Sequence, residues 1–141
     1  MRLEWGEIFY QGEGIDFHNL IKEWTSLLIG SIQPIGMSAF GDIYFLRSDG
    51  SVCVLDVLEG EVRDVALTQT EFAEKMNCPE WLEDNLMPEV VWQLRSRGLV
   101  CGRGQVYGFA PHPALAGRID AGTAMVFDSA VWNAICSQTV G

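Results

Sequence analysis

Residues 39–66 read AFGD-IYFLR-SDGS-VCVLDVL-EG-EVRDVA, short apolar runs separated by turn residues. The pattern predicts an antiparallel meander. Ile43, Tyr44, Phe45 and Leu46 place apolar side chains on both faces of the first strand, so that strand is expected at the centre of a sheet covered above and below. Ser48-Asp49-Gly50 turns the chain, Val52 to Leu58 forms a second strand, and Glu59-Gly60 connects it to a third, Glu61 to Ala66. In the third strand Arg63 and Asp64 interrupt the apolar residues, which suits a position nearer the sheet edge.

Outward from the meander, helices are expected as cover. Asp16 is placed to cap a helix in which Phe17, Leu20, Ile21, Trp24, Leu27 and Leu28 recur at helical spacing, with Gly30 ending it and Pro34 and Gly36 marking a loop into the meander. Residues 1–14, with Trp5, Ile8, Phe9 and Tyr10 between glycines, read as an ordered leader. After the meander, Thr68 and Glu71 stand in the spacing of a capping box that opens a helix to about Asn77. Pro79 and Pro88 each restart a helical piece, the last closing on Gly98. From Leu99 the chain becomes strand-like. Gln105 to Phe109 reads as a fourth strand, Ala124 to Phe127 as a final one, and Asp128 or Ser129 caps a last helix with Val131, Trp132, Ile135 and Cys136. The expected fold is one α+β domain of 141 residues: a leader and first helix over residues 1–36, and a sheet-bearing core over 37–141.

Composition narrows function. Nineteen acidic against nine basic side chains give a formal net charge of −10, which repels nucleic acid and anionic membrane and favours encounter with a basic protein. No apolar run is long enough to span a bilayer and no signal-like segment opens the chain, so a cytoplasmic location is expected. The four cysteines lack C-x-x-C spacing, so neither a zinc site nor a redox motif is indicated, and no metal or cofactor is expected. His18 is expected on the surface. The acidic residues concentrate after the meander, where Glu71, Glu74, Glu80, Glu83 and Asp84 surround Trp81. An aromatic rimmed by carboxylates suits protein binding, although Trp81 also suits core packing. His112, between Pro111 and Pro113, has no nucleophile beside it. A hidden active site would have to draw on Asp42, His112 and Asp120, and an adaptor for some other protein partner would suit the same acidic surface.

Two stretches together resemble a known family. Ser38-Ala39-Phe40-Gly41-Asp42 before an aromatic-rich strand, and Tyr107-Gly108-Phe109-Ala110-Pro111 leading to Ala114-Leu115-Ala116-Gly117, are similar to the paired motifs of the immunity-protein domain associated with type VI secretion DNase effectors. In that family the second motif usually begins with cysteine and ends in two glycines; Val106 and Ala116 depart from it here. The resemblance covers roughly residues 30–141. It implies a non-enzymatic cytoplasmic inhibitor, without cofactor or metal, that binds a basic nuclease toxin. Gly41, Gly108, Pro111 and Gly117 are expected to shape backbone, and Phe40, Phe109 and Leu115 to fill core.

Overall fold

The computed structural model describes residues 3–11, 15–116 and 121–140. The meander forms, with β3 (Ile43–Arg47), β4 (Val52–Asp56) and β5 (Glu61–Ala66) paired antiparallel, although β4 stops short of the expected Leu58 because Asp56 Oδ1 accepts from Leu58 N and Glu59 N and turns the chain. Two further strands, β1 (Phe9–Tyr10) and β2 (Ile32–Ser38), extend the sheet to the order β1-β2-β3-β4-β5, which leaves β3 central. Ile43, Tyr44 and Phe45 are buried, as a strand covered on both faces requires. β5 forms one edge and shows an exposed, charged pattern.

β2 replaces the loop expected around Pro34 and Gly36. β1 pairs only with Met37 and Ser38, so at Pro34 the outer side of β2 has no ladder partner, and the register shifts between Pro34 and Gly36. Proline's missing N–H therefore costs no inter-strand hydrogen bond there. The Phe9 ring occupies the space that a Cβ on Gly36 would need. The two weakly paired residues of β1 are thus held chiefly by packing, with Phe9 against Tyr44 and Phe72.

The first helix is shorter than its apolar stripe suggests. Asp16 caps it by accepting from Asn19 N at 3.1 Å, but α1 (Phe17–Ile21) passes into a 3-10 turn at Lys22–Trp24. Trp24 is buried and its indole N–H donates to Asn133 Oδ1 at 3.0 Å, while Leu27 N bonds back to Trp24 O. Thr25 and Ser26, poor helix formers, follow this anchor, and the chain turns instead of continuing. Leu20 and Trp24 still bury the expected face.

Beyond the sheet, α2 (Gln69–Met76), α3 (Pro79–Asn85) and α4 (Pro88–Ser96) follow the breaks at Cys78-Pro79 and before Pro88. Phe72 and Trp81 from α2 and α3 cover the Tyr44 side of the sheet. Residues 99–101 are not a strand; β6 (Gln105–Phe109) pairs with β7 (Ala124–Asp128) in a separate hairpin. Between them lies the single turn α5 (Pro113–Ala116). Asp128 Oδ1 accepts from Ala130 N at 2.9 Å and opens α6 (Ser129–Val140), which packs on the hairpin and on α1. No helix among the described residues is long and apolar enough to cross a membrane.

Candidate functional site

The two motif stretches meet. The turn between β2 and β3 is built on Ser38, whose hydroxyl accepts from Phe40 N and Asp42 N, each at 3.2 Å, and donates to Asp42 Oδ2 at 3.3 Å. Gly41 takes a φ of +97° that closes this turn, a backbone region costly for other residues. Tyr107 N donates to Ala39 O at 2.8 Å, which stitches β6 to the turn. The Phe40 ring lies nearly parallel to Phe109, with centroids 6.0 Å apart, and 5.9 Å from Tyr107. Trp132 closes the assembly by donating its indole N–H to Phe40 O at 3.1 Å. At Gly108 any Cβ would lie 2.5–2.7 Å from the rings of Phe127 and Trp132, so only glycine fits without repacking. The joined motifs are thus a structural knot between sheet, hairpin and last helix.

Asp42 ties this knot to the next turn, because its Oδ1 accepts from Val57 N at 3.0 Å. Burial, followed by the nearby Asp56 carboxylate, pushes the Asp42 carboxyl up to about 7. Asp56 itself accepts from Leu58 N and Glu59 N and pairs with Arg63. Both Asp42 oxygens are therefore committed to the fold.

His112 is buried, stacks on Trp132 at 5.4 Å, and accepts from Ala114 N on Nδ1 at 3.0 Å. That bond puts the proton of the neutral ring on Nε2, which is buried without a hydrogen-bond partner among the described residues. Burial lowers its affinity for a second proton. The ring thus serves the loop that follows the cis Ala110-Pro111 bond. No hydrogen bond links it to Asp42, and Asp120 lies outside the described residues. Of the expected core fillers, Phe40 and Phe109 are buried, but Leu115 is 75% exposed. It sits on the single turn of α5, where Leu115 N returns to His112 O and the side chain is directed outward. Gly117 also lies outside the described residues.

The acidic segment divides into structural and free carboxylates. Glu71 is half-buried, accepts from Leu67 N at 3.2 Å and lies 3.9 Å from Lys75 Nζ, while its own N–H is capped by Thr68 Oγ1 at 3.1 Å. The capping box is thus displaced by one residue, since Glu71 reaches Leu67 rather than Thr68. Trp81 is half-buried, 6.3 Å from Tyr44 and 6.0 Å edge-on to Phe72. Its ring serves chiefly as the base of α3. Glu74, Glu80, Glu83 and Asp84 are exposed, although Glu83 also accepts from Glu89 N at 3.2 Å and fixes α3 against the start of α4. Among the described residues no group of His, Cys, Asp and Glu could hold a metal ion.

Sequence reasoning missed Asn133 and Val57 as partners of distant residues, because each acts through a pairing that only the fold creates. It read Trp5 only as part of the ordered leader; the ring lies 5.7 Å from Phe9 and the residue is 42% exposed.

No protein-family model matches the sequence, and no curated protein does. In structure the chain is similar to Atu4351 from Agrobacterium tumefaciens, known from its crystal structure, with a TM-score of 0.60 and 17% identity over 86% of this chain. The matched region spans 62% of that chain, and at this identity the likeness establishes the α+β fold alone.

Proposed function

We propose that this protein is an immunity protein that binds and neutralises a secreted nuclease toxin of an interbacterial type VI secretion system, and that it acts in the cytoplasm without catalysing a reaction. The observation that carries this reading is the exposed set Glu74, Glu80, Glu83 and Asp84, standing on two short helices anchored by Phe72 and Trp81. A nuclease presents cationic side chains to phosphates, and carboxylates fixed on a rigid base can meet those cations where DNA would place its backbone. Lys75, the one basic residue of α2 and α3, donates to Val65 O at 2.6 Å and lies 3.9 Å from Glu71, so its hydrogen bond and ion pair are with those two residues and not with the four exposed carboxylates. The motif resemblance supports the same reading. So does the commitment of both Asp42 oxygens to hydrogen bonds within the fold, which makes that carboxylate a poor base.

Co-expression of the tagged protein with the nuclease encoded beside its gene tests this directly. The expected result is a stable one-to-one complex in which DNA cleavage is abolished. A nuclease that fails to co-purify and still cleaves DNA would overturn the proposal.

A further inference from the structure

Where the meander ends, the last residues of β5, the turn between β3 and β4 and the first turn of α2 border a groove of about 250 Å³. One part of its lining is the run Val65, Ala66 and Leu67, and Leu67 is 79% exposed. The other part is three carboxylates, Asp49, Asp64 and Glu71, one from each of the three elements. Each is fixed through one oxygen. Asp49 Oδ1 accepts from Ser51 N at 2.9 Å and Ser51 Oγ at 2.6 Å, Asp64 Oδ1 from Cys53 Sγ at 3.5 Å, and Glu71 Oε2 from Leu67 N at 3.2 Å. The Ser51 hydrogen bonds, with Arg47 as a lesser influence, hold the Asp49 carboxyl below its usual range. Among the described residues no basic side chain lines the groove. Two stand beside it with other partners: Lys75 reaches Glu71 at 3.9 Å but donates to Val65 O at 2.6 Å, and Arg47 donates to Cys53 Sγ at 3.2 Å and lies over the Phe45 ring.

We propose that this groove receives an arginine side chain of the partner protein, its stem against Leu67 and its guanidinium among Asp49, Asp64 and Glu71. A long basic side chain matches both parts of the lining, because its aliphatic stem covers apolar surface while its charged head meets the acids. Arginine suits three carboxylates arriving from three elements, since its planar fork carries five donors and can bond to more than one of them at once. The groove has room for one such side chain. Charge selects the occupant: the lining is acidic, and the formal −10 of the whole chain draws a cation toward it and repels a second copy. The inference deepens the toxin-binding reading and rests on it for the identity of the partner. To the open carboxylates of α2 and α3 it adds a seat for a single anchoring side chain.

The test uses the full chain, labelled with nitrogen-15, and N-acetyl-arginine amide as the probe. Saturable shifts are expected at the Ser51, Val65, Ala66 and Leu67 amides. N-acetyl-citrulline amide, which keeps the shape and loses the charge, should bind at least about tenfold more weakly. Asp64→Asn, at an exposed position where the amide oxygen can still accept from Cys53 Sγ, should preserve the spectrum elsewhere and weaken arginine binding at least about fivefold. Leu67→Ala, which retains the N–H bonded to Glu71, should weaken it about threefold by removing the surface under the stem. Equal binding of the citrulline probe, or an Asp64→Asn variant that binds arginine like the parent, would overturn the proposal. So would shifts of equal size beside Glu74, Glu80 and Asp84, because cations would then gather around the net charge without a seat. The titration needs no toxin and the toxin capture needs no arginine probe, so failure of one reading is distinguishable from failure of the other.

Discussion

Trp132, in the last helix, donates its indole N–H to the carbonyl oxygen of Phe40 at 3.1 Å across 92 positions of sequence. The bond is buried, and it joins the turn that begins the meander to the helix that ends the chain. Trp132→Phe keeps a ring in place but leaves that carbonyl without its donor, so a loss of about 1–3 kcal/mol is expected in denaturant unfolding. Trp132→Phe unfolding with the parent midpoint would show that the bond is dispensable.

The motif residues should separate sharply by burial. Phe109→Ala removes a ring stacked on Phe40 and is expected to cost about 3–5 kcal/mol. Gly108→Ala must displace Phe127 or Trp132 and should cost roughly 1–3 kcal/mol. Leu115→Ala, at a side chain 75% exposed, should stay within about 0.5 kcal/mol of the parent. Thermal or urea melts of the three variants check the ranking, and an equal loss for Leu115→Ala would contradict the placement of α5.

Asp42 gives the fold a pH dependence opposite to that of a paired carboxylate. Its ordinary value of 3.8 is raised to about 7 by burial and by Asp56, so between those values the folded state holds a proton that the unfolded state has lost. Stability should therefore fall as pH rises through this window, by at most about 1.4 kcal/mol per pH unit from this group. Asp42→Asn can still accept from Val57 N and meet Ser38 Oγ, and it should flatten that slope. Unfolding midpoints of both proteins at several pH values between 4 and 7 decide the matter, and parallel curves would remove Asp42 as the source.

The free carboxylates should act on the rate of encounter. E74Q, E80Q and D84N combined are expected to slow association with the toxin and reduce its salt dependence, while E71Q should chiefly weaken the start of α2. Stopped-flow association at several salt concentrations, alongside melting curves, distinguishes the two effects. An unchanged salt slope would move the charged interface away from α2 and α3.

The meander was legible in the sequence because its strands pair with their immediate neighbours through short turns, and two-sided apolarity alone placed Ile43 to Phe45 at the centre. The helix breaks at Pro79 and Pro88 were equally plain, since proline imposes them locally. β2 was not legible: Pro34 and Gly36 punctuate it like a loop, and only the brevity of β1 explains why a proline is harmless there. Leu115 was misplaced for a related reason. Its apolarity suggested burial, but the turn that carries it is anchored by His112 on the inner side, which leaves Leu115 outside. The acidic residues were all visible as letters. Their division into a cap at Glu71 and free groups at Glu74, Glu80 and Asp84 depended on hydrogen bonds that no spacing rule specifies.

Gly36 gives the amino-terminal strand a single point of release. Because the Phe9 ring stands where a side chain at position 36 would begin, even one methyl group there competes with Phe9 for its seat. β1 pairs with only two residues of β2, so the eviction of Phe9 removes more of its attachment than the loss of its ladder would. Gly36→Ala is therefore a route to a four-stranded form of the protein, with its amino terminus unmoored while the knot at Phe40, Phe109 and Trp132 stays intact.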